Sequence, residues 1–176
     1  MNSKFQALAL AGSALLAMGF GATSAQAAPA TAQAQAKAKI LKQLTVSKNT
    51  DLDFGTIVAG ANAGTVVVAS NGGRTCDAVN LTCTGATTAA TFTVTGSNNS
   101  VVTVSVPASI TLKTGTGQTM TASLSAPATI NLGNSGNSSG ATLQVGGTLS
   151  VGANQFEGDY TFDGDVNGFA VTVNYQ

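Results

Sequence analysis

The sequence predicts an all-β protein, an immunoglobulin-like antiparallel β-sandwich, and three observations carry that expectation. From Leu44 onward the apolar residues recur with period two rather than 3.6. Val, Ile and Thr gather in short runs divided by Gly, Asn or Pro. Nothing after the first stretch of the chain has the apolar spacing of a helix, and roughly eight to ten short strands fit the remainder, as a sandwich requires.

The chain opens with one positive charge at Lys4, an apolar run from Ala7 to Phe20 and small residues at Ala25, Gln26 and Ala27, the pattern of a secretory signal peptide over residues 1–27. The run is short of the about 20 residues a membrane span needs, and Gly12 and Gly19 interrupt it. Cleavage near Ala27 would leave about 149 residues, one domain's worth. With no later apolar segment of spanning length and no lipid-bearing Cys after the signal, no membrane span is expected after cleavage. The expected location is outside the cytoplasm: periplasm, cell surface or extracellular space.

Residues 28–43 form a leader of two characters. Ala30, Ala32, Ala34, Ala36, Ala38 and Ile40 alternate with Thr31, Gln33, Gln35, Lys37, Lys39 and Leu41, which says strand. Ala, Gln and Lys as residue types say helix or disorder, so the leader is expected to be flexible in a lone subunit.

The sandwich domain is expected over residues 44–176. Leu52, Phe54 and Val58 would share one face of a strand whose other face carries Asp51 and Asp53, and Val66 to Val68 follow a Gly-Asn turn. Ala90, Phe92 and Val94 alternate with threonines, Val102, Val104 and Val106 with Thr103 and Ser105, and the Gly96–Asn99 link between them reads as a hairpin. Pro107 ends that unit, and further strands centre on Ile110, Met120–Leu124, Ile130, Leu143, Leu149 and Tyr160. The closing segment is the most regular, with Phe169, Val171, Val173 and Tyr175 on one face and Ala170, Thr172, Asn174 and Gln176 on the other.

Charge and composition exclude several classes. Only 8% of the chain is charged, where about 25% is usual, so solubility rests on hydroxyls and amides. Removing Lys4 leaves six basic residues against seven acidic ones, and no basic face offers itself to nucleic acid. The chain holds no His, and its paired carboxylates (Asp51 with Asp53, Glu157 with Asp159) lie close in sequence without a Trp to stack a sugar, so no enzyme activity and no cofactor are expected. Lys37, Lys39 and Lys42 gather at the head, and Glu157, Asp159, Asp163 and Asp165 near the end. That asymmetry could join one subunit's head to another's tail, or simply be a basic leader and a solvated loop.

Cys76 and Cys83 are an even pair in a chain bound for export, which makes a disulfide the expectation over a redox or metal pair. Closing so short a loop removes about 2.5 kcal/mol of unfolded-state entropy. Asp163, Asp165 and Asn167 match the opening half of a calcium loop, but Asn174 stands where the bidentate Glu should be, and Asp, Asn and Gly serve a β-turn equally well. No metal is expected, with that loop as the one calcium candidate.

Taken together, Leu52–Val58, Gly72-Gly73-Arg74-Thr75, Ala90–Gly96 and Val171–Tyr175 resemble a family of small exported bacterial proteins known only as a domain of unknown function, the DUF4402 type. More loosely, the chain is similar to pilin and spore-coat-U-like subunits of chaperone–usher fimbriae, through its signal peptide, alternating leader and final strand with a penultimate Tyr175. That likeness implies an incomplete sandwich whose groove takes the leader of the next subunit, with a periplasmic chaperone and identical subunits as partners. By it, Ile40, Leu44 and Val46 are the donor-strand candidates, with Lys42 interrupting their face, and Phe169, Val171, Val173 and Tyr175 form the assembly strand. The same Ile40–Val46 segment also reads as the first strand of a complete sandwich. Two functions follow: a pilin-like or coat subunit assembling by β-strand addition, or a self-contained exported module binding carbohydrate or a surface partner.

Overall fold

The computed structural model describes residues 28–164 and 168–176. Residues 1–27, where a signal peptide is expected, lie outside the described residues, as do Asp165 and Asn167 of the calcium candidate. The chain divides into two units, one ending at Ala38 and a body over Lys39–Gln176. In the first, residues 28–38 carry no regular secondary structure and are exposed.

The body is all β, in sandwich-like layers. Its strands are β1 (Thr45–Thr50), β2 (Thr56–Ala59), β3 (Gly64–Val68), β4 (Arg74–Cys76), β5 (Leu81–Thr84), β6 (Ala90–Thr95) and β7 (Val101–Ser105). They continue as β8 (Ser109–Lys113), β9 (Thr119–Ser125), β10 (Thr129–Asn131), β11 (Ala141–Val151), β12 (Thr161–Phe162) and β13 (Thr172–Tyr175), with one 3-10 turn at Gly133–Ser135. Every strand pair is antiparallel.

The 11-residue β11 joins the architecture. Its first half, Ala141–Val145, pairs with β6, which pairs in turn with β1. Beyond Gly146 its second half pairs with both β3 and β9, extending the sheet through β4 on one side and through β8 and β12 on the other. Two smaller sheets, β10-β7-β13 and β2-β5, complete the fold.

The odd-numbered residues of β11 share one face, and that face feeds two cores in succession. Leu143 and Val145 are fully buried with Ala90, Phe92 and Val94 of β6, and Val102, Ile130, Val173 and Tyr175 close over them from β7, β10 and β13. Leu149 and Val151 lie in the other core with Val66, Val68, Ile110 and Ala122, covered by Phe54, Leu81 and Ile57. Leu52, Leu124 and Phe169 touch both cores, and the Phe169 ring meets Phe92 edge to face at 6.2 Å.

Cys76 of β4 and Cys83 of β5 are disulfide-bonded, Cα to Cα 6.2 Å, tying the large sheet to the β2-β5 pair. Arg74 reinforces the tie. Its guanidinium donates to the carbonyls of Thr84, Gly85 and Cys83 at 2.7, 3.2 and 3.2 Å.

Three expectations are corrected. The expected hairpin of Ala90–Val94 with Val102–Val106 does not form: β6 pairs with β1 and β11, while β7 pairs with β10 and β13. The Gly96–Asn99 link crosses between layers, with Asn99 at φ +54°. Alternation could not distinguish these outcomes, because two strands that pair and two that face each other both bury every second residue. Leu52 to Val58 is not one strand. Gly55, at φ +76°, interrupts it, and a Cβ there would lie 2.8 Å from the Thr84 carbonyl oxygen. The inward face therefore changes parity: Leu52 and Phe54 point in, then Ile57 and Ala59, leaving Val58 60% exposed. Finally, the strands expected around Leu143 and Leu149 are one strand, and the described residues hold 13 strands rather than about eight to ten.

Leu143 has no exposed surface and sits where β6, β11 and β7 meet. Leu143→Ala is expected to destabilise the body by about 2–5 kcal/mol, read as a lowered urea midpoint with an unchanged slope.

Candidate functional site

An open groove of about 1660 Å3 runs over the second core. Its floor is apolar, made by Ile110 and Leu112 of β8, Met120 of β9, Leu149 and Val151 of β11, and the rings of Phe54, Phe92, Phe162 and Phe169. The local sequence explains this: a period-two strand presents its apolar face to one layer, and the covering layer here is the short β2-β5 pair. One wall is residues 50–59, including all of β2, and the other is the loop Gln155–Tyr160 leading into β12. Among the described residues β2 pairs with β5 alone, so one of its edges has no strand partner.

The lips of the groove combine exposed apolar groups and charge. Val58 on one wall and Phe156 on the other are 60% and 67% exposed. The charged lining residues are Asp51, Asp53, Glu157 and Asp159 against Lys48. Lys48 Nζ lies 2.8 Å from Asp51 Oδ1, and Asp53 Oδ1 accepts the Gly55 N–H at 2.8 Å. The far wall is held by Gln155, whose amide donates to Tyr160 Oη at 2.7 Å and whose Oε1 accepts the Gly152 N–H at 3.2 Å. Tyr160 Oη donates in turn to the Phe156 carbonyl at 2.9 Å.

At the start of the body the chain is tied down by Tyr175. Its hydroxyl donates to the Lys42 carbonyl at 2.6 Å and accepts the Ser97 N–H at 2.7 Å. Ser97 Oγ accepts the Lys42 N–H at 2.7 Å, and Lys42 Nζ donates to the Asn137 carbonyl at 2.6 Å. Gly96 makes the clamp possible, because a Cβ there would lie 2.6 Å from Tyr175 Oη and 2.7 Å from Leu44.

The donor-strand candidates are therefore not held together. Leu44 and Val46 pack into the first core of their own chain, alongside Phe169, Val171, Val173 and Tyr175, the residues expected to form the assembly strand. Ile40 is 94% exposed. Lys42, which interrupts their alternation, is the residue the clamp grips. Of the calcium candidate, Asp163 lies 3.6 Å from Lys113 Nζ, and the described residues hold no cluster of three or more His, Cys, Asp or Glu. They also contain no helix long and apolar enough to cross a membrane.

The groove itself escaped the sequence reading. Its residues come from segments far apart in the chain, and each alone looks like ordinary core. Phe156 was the one local sign, a large ring in a Gly-rich, acidic loop.

A family model described as a domain of unknown function (DUF4402) matches residues 44–175. No curated protein and no solved structure matches the chain.

Tyr175→Phe keeps the ring and removes both bonds of its hydroxyl. It is expected to cost about 1–3 kcal/mol and to raise amide hydrogen exchange at Ser97 by more than in β9.

Proposed function

Because the chain belongs to the DUF4402 family, defined by its domain and not by an activity, we propose a function from its surfaces: an exported, non-catalytic structural subunit, pilin-like or of a coat, that assembles with identical subunits by β-strand addition. The single observation that carries this reading is the open apolar groove beside the unpaired edge of β2. The edge of β2 leaves main-chain hydrogen-bonding groups without a strand partner, and an added strand would satisfy them while covering the half-buried Leu112, Met120, Phe162 and Phe169 that line the groove.

The leader supports the same reading from the other side. Its residues 28–40 are exposed and lack regular structure, while the clamp at Lys42 fixes where the leader leaves the body. An extended strand from Ala28 to Ile40 would reach about 40 Å, several times the about 10 Å between stacked sheets. One face would carry alanines and Ile40, and the other Gln and Lys. Interfaces in which one surface meets a different surface of the next copy form open chains unless the rotation closes a ring, which suits a fibre or coat. A periplasmic chaperone would then shield the groove before assembly.

Deletion of residues 28–40 keeps Leu41, the clamp and both cores. Light scattering and negative-stain microscopy of the mature chain are expected to show oligomers or filaments that the deletion abolishes, with the melting transition of the body retained. Equally monomeric long and short forms would overturn strand addition and point to a ligand for the groove.

A further inference from the structure

We propose that the acidic lip of the groove receives Lys37 and Lys39 of a second copy's leader, so that charge sets the direction and rate of assembly. This inference rests on the strand-addition reading above and names what its groove selects.

The two ends of the contact carry opposite charge. No acidic residue precedes Asp51 in the chain, so the leader is purely basic. Four carboxylates line the groove, Asp51, Asp53, Glu157 and Asp159, and Lys48, the ammonium among the described lining residues, already faces Asp51 at 2.8 Å. All four carboxylate residues are exposed.

Stereochemistry places the leader's charges where the lip can meet them. In an extended strand Ala36, Ala38 and Ile40 lie on one face and Lys37 and Lys39 on the other, the two lysines about 6–7 Å apart. With the Ala and Ile side chains turned to the apolar floor, both ammonium groups stand away from it, at the level of the walls. Long lysine stems can cross the exposed Val58 and Phe156 side chains while their heads stay in water beside the carboxylates. Lys42 does not take part, because its Nζ donates to Asn137 of its own body at 2.6 Å. The head of one copy thus matches the groove of another, and two heads or two grooves repel. Exposed charges of this kind act on encounter and on choice of partner more than on affinity.

The test follows assembly of the mature full-length chain by light scattering at about 50 and about 500 mM salt, which brackets strong and weak screening. Three samples accompany it: Lys37→Gln with Lys39→Gln, Glu157→Gln with Asp159→Asn, and the reversed set Lys37→Glu, Lys39→Glu, Glu157→Lys and Asp159→Lys in one chain. Thermal melting of each reports whether the body is intact. Either neutralised variant is expected to assemble about tenfold more slowly at low salt and to lose most of its salt dependence, and the reversed set to recover the wild-type rate. Equal rates and equal salt dependence in all four would overturn the charge assignment while leaving strand addition standing. Failure of the wild-type chain to assemble at either salt would overturn strand addition and this inference with it. A leader-dependent rise in melting temperature without any change in mass would put the leader in its own groove and exclude the second copy as occupant.

Discussion

Both cores depend on the burial of one face of one strand. Leu143, Val145, Leu149 and Val151 of β11 are all nearly or wholly buried, the first two among β6, β7 and β13, the last two among β3, β8 and β9. Among the described residues no other strand pairs with three partners, so the register of β11 sets the register of β6, β3 and β9 at once. A slip of one residue would turn all four apolar side chains out and present Thr142, Gln144, Thr148 and Ser150 to both cores. The lost burial alone, about 6–12 kcal/mol for four aliphatic side chains, is as large as the about 5–15 kcal/mol by which a domain is stable, and it holds the arrangement in one register.

The same arrangement explains why one core is closed and the other open. Over Leu143 and Val145 lies a three-stranded sheet, β10-β7-β13, and the two layers bury each other. Over Leu149 and Val151 the large sheet is broader, running from β4 through β3, β11, β9 and β8 to β12, yet its cover is the two-stranded β2-β5 pair. The disulfide and Arg74 bind that pair to β4 at one end. The floor beyond it, which includes the rings of Phe54, Phe162 and Phe169, is left as groove. The groove is thus a mismatch in strand number between layers, fixed by the fold.

What the sequence disclosed and what it hid divide along the same physical line. The all-β class, a final strand, which spans Thr172–Tyr175 and not the whole of Phe169–Tyr175, and the Cys76–Cys83 bond follow from local signals: period two, β-branched residues, and an even pair of cysteines. Pairing was hidden, because it depends on which edges are free. Phe92 and Val102 alternate alike, and only the occupation of both β6 edges by β1 and β11 sends β7 to the opposite layer. The parity change at Gly55 was hidden for another reason. A single glycine in a run that otherwise alternates gives no sign of its φ, and it moved Val58 from the expected core face to the groove's lip. The clamp on Lys42 could not be read either, since Tyr175 and Ser97 meet it from more than 50 residues away.

In the proposed assembly, magnitudes say which force does what. The leader's apolar face consists of Ala30, Ala32, Ala34, Ala36, Ala38 and Ile40. Five methyl groups and one isoleucine bury far less apolar area than a row of Val and Ile would, and β2 offers a four-residue edge to main-chain bonds. Ordering the leader's backbone and bringing two copies together oppose both gains. A joint of this kind is weak and reversible, unlike one made by a leader of Val and Ile. Exposed ion pairs at about 0.2–1 kcal/mol each are too weak to hold such a joint, but long-range attraction between a basic head and an acidic lip acts before any main-chain bond has formed. Charge would then govern how fast and in which direction copies meet, while Ile40 and the main-chain hydrogen bonds govern how long they stay.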